Sequence, residues 1–119
     1  MTILVVDDSS VMRKIVIRSL RQAGYGDHEV VEAEDGAEAL ASIRSSTPDV
    51  VLSDWNMPNM SGLELVTALR AEGNQVPFGF VTSESTAEQF AAGIGAGASF
   101  LLSKPFTAED LAANLGAIL

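Results

Sequence analysis

The chain has 119 residues, 47% of them hydrophobic and 19% charged, and no cysteine. That length fits one domain whose folding hides roughly 65% of the unfolded chain's surface, while the missing cysteines exclude disulfide frameworks, thiolate metal sites and cysteine nucleophiles. A net charge of −9 would repel nucleic-acid phosphates, no apolar run approaches the ~20 residues of a membrane span, and no secretory signal pattern opens the chain. The arithmetic points to a cytoplasmic, acidic, single-domain protein that uses neither nucleic acid nor membrane as a partner.

Short apolar runs alternate with longer amphipathic stretches. Ile3-Leu4-Val5-Val6 is a β-branched run that stops at Asp7-Asp8 and predicts a first strand. From Ser10 to about Ala23 the apolar Val11, Ile15, Val16 and Leu20 recur at helical spacing, with Ser9 or Ser10 as the cap and Gly24 as the stop. Residues 29–33 read as a second strand and 36–44 as a second helix. Residues 49–54 hold a third strand, 63–71 a third helix closed by Glu72-Gly73-Asn74, and 77–82 a fourth strand. Residues 87–96 predict a fourth helix. Gly93, Gly95 and Gly97 each cost it up to about 1 kcal/mol relative to alanine, so it is expected to be short or poorly held. These glycines follow no strand, which argues against a phosphate loop. Residues 99–102 form a short fifth strand. Thr107 then caps a last helix running nearly to Leu119, with Glu109 and Asp110 in its first turn.

Five strands alternating with five helices predict an α/β fold, a doubly wound five-stranded parallel sheet of flavodoxin-like order 2-1-3-4-5. Continuously apolar strands suit a sheet covered on both faces. Ligands of such sheets bind beyond the carboxyl ends of the strands, at the switch point between strands 1 and 3. Strand 1 ends in Asp7-Asp8, strand 3 in Asp54 and strand 4 in Thr82-Ser83, while Lys104-Pro105 follows strand 5. Exposed strand ends are often polar, which explains any one of these residues but explains the set poorly. Three converging carboxylates against one lysine raise one another's pKa and call for a divalent cation. With hard oxygens, no cysteine and no nearby histidine, that cation is Mg²⁺ rather than Zn²⁺. His28 lies at the opposite end of strand 2 and reads as an ordinary surface residue. Lys104 and the Thr82 hydroxyl add donors for an anion, the arrangement phosphoryl transfer needs, with Asp54 as nucleophile.

With these residues placed, the chain resembles the receiver domains of two-component response regulators over its whole length, and most of all the single-domain, CheY-like chemotaxis regulators. The likeness rests on Leu4-Val5-Val6-Asp7-Asp8, Glu32-Ala33-Glu34-Asp35-Gly36, Asp54-Trp55-Asn56-Met57-Pro58-Asn59-Met60 and Lys104-Pro105-Phe106. The resemblance implies that Asp54 accepts a phosphoryl group from a sensor histidine kinase. It implies that Asp7, Asp8, Asp54 and the Asn56 carbonyl hold Mg²⁺, and that Lys104 and Thr82 bind the phosphoryl group. It implies a cis Lys104-Pro105 peptide, and Asn56 and Glu84 as the side chains that tune dephosphorylation to seconds or minutes. Downstream it implies a target protein such as the flagellar motor switch, a phosphatase, a monomer, and no enzymatic activity beyond its own phosphorylation and dephosphorylation.

Two departures stand out. Receivers usually carry Tyr or Phe at the switch position on strand 5, where this chain has Leu101; Phe100 should face the other side. The second is the glycine-rich fourth helix. Alternative readings are a receiver belonging to a longer regulator, another single-domain phosphorelay regulator, a dehalogenase-type phosphatase and a flavodoxin-like electron carrier. The phosphatase would need an acid where Asn56 stands, and the electron carrier a donor-rich loop where the chain has Asp7-Asp8. Finally, Arg13, Lys14, Arg18 and Arg21 make the first helix a basic face for an acidic kinase surface. Glu88, Gln89, Glu109 and Asp110 make the fourth and fifth helices a face for a neutral or basic partner.

Overall fold

The computed structural model describes residues 1–83 and 86–118. Strands β1 (Thr2–Val6), β2 (Glu29–Ala33), β3 (Val50–Ser53), β4 (Phe78–Thr82) and β5 (Phe100–Ser103) form one parallel sheet, in the predicted order β2-β1-β3-β4-β5. Helices α1 (Ser10–Leu20), α2 (Gly36–Ser45), α3 (Gly62–Ala71), α4 (Ala87–Ala96) and α5 (Ala108–Gly116) flank it. No helix among the described residues is long and apolar enough to cross a membrane.

Alternate residues of a strand point to opposite faces, so each apolar run feeds two cores. Leu4, Val6, Val51, Phe78 and Phe80 pack against Leu40, Ile43, Leu65 and Leu69 of α2 and α3. On the other face Ile3, Val5, Leu52, Val81 and Phe100 meet Val16 and Leu20 of α1 and Leu111 and Leu115 of α5. Parallel strands buried on both sides leave the sheet's carboxyl edge as the place where polar side chains collect.

Every helix starts on a side-chain cap. Ser9 accepts from the Met12 N–H and Asp35 from the Glu38 N–H. Ser61 with Glu64, Thr86 with Gln89 and Thr107 with Asp110 form reciprocal capping boxes. Two expectations need correction. The first helix does not run regularly to Ala23: beyond Leu20 the chain widens into a π-type turn, Arg21–Tyr25, because Gly24 takes φ +97° and cannot continue an α-helix. The fourth helix is not short. It has 10 residues, the same length as α2 and α3, because its glycines do separate jobs. A β-carbon on Gly93 would stand 3.0 Å from Phe80 and 3.2 Å from Trp55, so glycine lets α4 lie close on those rings. Gly97 caps the helix with φ +113°. Its hold is nonetheless thin, since Gly93 is its one buried residue.

Candidate functional site

The register of the sheet sets the site. Val6 pairs with Ser53, and Thr82 with Ser103, so the ends of β1, β3, β4 and β5 lie side by side. The Asp54 N–H donates to the Val6 carbonyl at 2.9 Å, and the Lys104 N–H to the Thr82 carbonyl at 2.7 Å, which carries the ladder one step past the strands. The peptide between Lys104 and Pro105 is cis, as the resemblance implied. Thr82 is buried, Asn56 is exposed two residues beyond Asp54, and Glu84 lies outside the described residues.

Asp7, Asp8 and Asp54 each place a carboxylate oxygen within 4.8 Å of the others. They are not equivalent. Asp7 is buried and held on every side: Oδ1 accepts the Ser9 N–H at 2.9 Å, Oδ2 faces Lys104 Nζ at 3.2 Å, and its carbonyl accepts from Arg13 at 2.7 Å. Asp8 is exposed. Asp54 is half-buried; its Oδ1 accepts the Trp55 N–H at 2.7 Å and its Oδ2 stands 3.8 Å from Lys104 Nζ. Burial pushes the Asp54 carboxyl above its ordinary pKa. The Lys104 charge and the Trp55 N–H pull it down by less, and Asp7 and Asp8 add to the rise. Two unit charges about 5 Å apart at an effective dielectric of about 20 repel by roughly 3 kcal/mol, so one lysine cannot balance this cluster. An all-oxygen set with one exposed member fits a hard divalent cation such as Mg²⁺.

The loop after β3 is tied down from the α2 side. A β-carbon on Gly62 would overlap the Asp54 carbonyl, so only glycine lets α3 start this close to the site. Gly36 N–H donates to the Met60 carbonyl at 3.1 Å. Asn59, with φ +67°, donates to Asp35 Oδ2 at 2.8 Å. Hydrogen bonds from the Glu38 N–H and then the Asn59 amide hold the Asp35 carboxyl below its usual pKa. Trp55 leans on Phe80, ring centroids 4.6 Å apart.

Leu101 pairs with Phe80 and packs on the α2–α3 face, whereas Phe100 is buried on the α1–α5 face, as expected. Lys104, just past β5 and reserved for the site, is the one cation among the described residues from α4 through α5. His28 sits away from the site at the start of β2, but it is half-buried against the Tyr25 ring rather than simply exposed. Arg13 corrects the basic-face expectation. It is buried, with Nε 2.9 Å from Glu32 and a second nitrogen on the Asp7 carbonyl, so it supports the site instead of facing solvent. A usable signal was present: Arg13, Val16 and Leu20 share the helical spacing of the buried stripe.

The profile of the response regulator receiver domain matches residues 3–116. The chain is 43% identical over 117 residues to the transcriptional regulatory protein PrrA of Mycobacterium tuberculosis, covering 98% of this chain and 49% of that protein. It therefore spans about half the length of the curated relatives it matches. Among solved structures it is similar to the chemotaxis protein CheY4 of Vibrio cholerae, with 39% identity and TM-score 0.86 over 99% of this chain and 98% of that one. The signal receiver domain of NarL from Mycobacterium tuberculosis superposes equally well, with TM-score 0.86 at 28% identity over 98% and 93% of the two chains.

Proposed function

The chain belongs to the response regulator receiver domain family, and from that premise we propose that it is a phosphorylation-dependent switch in which Asp54 accepts the phosphoryl group. The observation that carries this reading is Lys104 Nζ set 3.2 Å from Asp7 and 3.8 Å from Asp54, on the edge where Thr82 also ends. Receivers of this family take part in signalling with sensor histidine kinases. In the proposed transfer an Asp54 oxygen attacks the phosphorus of a phosphohistidine, an O–P bond replaces the P–N bond, and the imidazole leaves with the electron pair. Lys104 pairs with the phosphoryl oxygens and the Thr82 hydroxyl donates to them. Asp7, Asp8, Asp54 and the Asn56 carbonyl are the groups that would hold Mg²⁺, which supplies the positive charge a dianion needs to approach three carboxylates. Asn56, two residues beyond Asp54, frames the path of hydrolytic water; the matching role expected of Glu84 falls outside the described residues. In this reading the chain catalyses only its own phosphorylation and dephosphorylation, and works as a switch.

The single-domain chemotaxis reading draws support from the match to CheY4 along nearly all of both chains. It implies a cytoplasmic protein whose phosphorylated form binds a motor-switch type of target. The relatives named as transcriptional regulators support a second reading, a receiver serving a longer regulator. Either way two surfaces are proposed for partners. Lys14, Arg18 and Arg21 are exposed on and just past α1 and suit an acidic kinase surface. Phe90 and Ile94 are exposed on α4, as are Glu88 on the same helix and Glu109 on α5, and this face suits a neutral or basic target. The basic test is labelling by acetyl phosphate with Mg²⁺, read as a mass gain of one phosphoryl group. Asp54→Asn and EDTA should each abolish it; equal labelling of the variant refutes the assignment.

A further inference from the structure

A groove of about 410 Å³ opens beside the carboxylate cluster, between α1 and the connection from β5 to α5. Met12, Ile15 and Ser19 form one wall, Pro105 and Phe106 the other, and Ser83 and Lys104 also line it. The volume lies in the range of small-ligand sites, and the lining combines apolar walls with one cation. Ile15 is 41% exposed, so this apolar surface is open to water and available for burial. The cation is the one that reaches Asp7 and Asp54, and Ser83 follows Thr82 directly. The groove is thus continuous with the place where the phosphoryl group is proposed to sit.

That continuity bears on the donor. In an in-line transfer the leaving group points away from Asp54, toward whatever surface borders the phosphoryl position. A second anionic group there would find no further cation in the lining, whereas a short aliphatic chain would find Met12, Ile15 and Phe106. We propose that this groove selects among small-molecule donors, accepting the aliphatic chain of an acyl phosphate and favouring butyryl over acetyl phosphate. The inference rests on Asp54 as acceptor. In the step an Asp54 oxygen bonds to phosphorus, the anhydride P–O bond breaks, and butyrate leaves with the electron pair. No proton, oxidant or further reactant is needed.

A methylene fully withdrawn from water contributes about fourfold in binding, and one half-buried in an open groove about twofold. Two extra methylenes therefore lower the half-saturating donor concentration about fourfold. The experiment compares initial labelling by acetyl, propionyl and butyryl phosphate in Mg²⁺ buffer. The expected result is a stepwise fall in half-saturation with chain length. That fall should shrink to less than twofold in Ile15→Asn and in Ser19→Leu, which fills the groove without removing an apolar wall. Independently, butylphosphonate but not methylphosphonate should shift the Met12 and Ile15 methyl resonances. Good labelling by acetyl phosphate with no chain-length preference overturns the groove and leaves Asp54 standing. Chain-length preference that survives in both variants places the chain elsewhere and also overturns it. No labelling by any donor refutes the acceptor assignment beneath it.

Discussion

Helices α1 and α4 flank the same sheet, yet they are held in opposite ways. α1 buries Arg13, Val16 and Leu20, and Arg13 reaches the carbonyl of a site carboxylate. α4 buries only Gly93 and leaves Phe90 and Ile94 in water. An element tied by a buried guanidinium and a packed stripe behaves as part of the frame. One that rests on a glycine against two aromatic rings can shift at low cost, because little burial is lost when it moves. In the proposed switch, this difference suits α1 to presenting the site and α4 to reporting its state.

The comparison can be broken most forcefully at Arg13. Arg13→Ala leaves the buried Asp7 carbonyl without its donor and Glu32 without its partner. It should cost roughly 2–4 kcal/mol in urea unfolding; a loss as small as that of Arg18→Ala would show that α1 is no better anchored than its solvated face. Asp54 gives the next largest effect. Its folded pKa is raised, so the protonated form is favoured by folding. Its contribution is present below the unfolded pKa and is lost as pH rises through the folded value. Asp54→Asn should therefore melt higher than the parent at pH 7 in EDTA, with the gap closing toward pH 4; a variant that melts lower at pH 7 would contradict the burial argument.

On the α4 side Gly95 has open space around its α-carbon and lies in the helix. Gly95→Ala should stabilise the protein by about 0.5–1 kcal/mol, and if α4 reports by moving, the change should also slow partner release. A destabilised variant would mean that the glycine is needed for packing. The smallest effect is expected at the exposed cations. Reversing Arg18 and Arg21 should slow association with a kinase severalfold at low salt, and the effect should fade toward 1 M, where the Debye length is about 3 Å. No change at any salt leaves that face as solvated surface only.

The strand order and the acidic edge were legible because both follow from short-range signals: apolar runs, the residues that end them, and the switch-point rule. Caps at Thr107 and Ser9 read equally well. What escaped depends on contacts between distant segments. Arg13 was grouped by charge with Lys14 and Arg18, although its position on the Val16–Leu20 stripe places it inside. The α4 glycines looked uniformly costly, but only the sheet shows that Gly93 faces Phe80 and Trp55 while Gly95 faces nothing. Gly79 is similar: a β-carbon there would overlap the Phe100 ring, a constraint visible only once β4 and β5 pair. The link from Asn59 to Asp35 joins residues 24 apart through a backbone with positive φ, which no local pattern announced.

The central claim is that the Asp54 carboxylate, and not its neighbours in the cluster, carries the phosphoryl group. An aspartyl phosphate is an acyl phosphate, and borohydride reduces it to homoserine while leaving free carboxylates untouched. Protein labelled with acetyl phosphate and Mg²⁺, reduced and digested, should yield homoserine at position 54 and intact aspartate at 7 and 8. Homoserine at position 7 or 8, or a phosphoryl group that survives as a serine or threonine ester, would contradict the account.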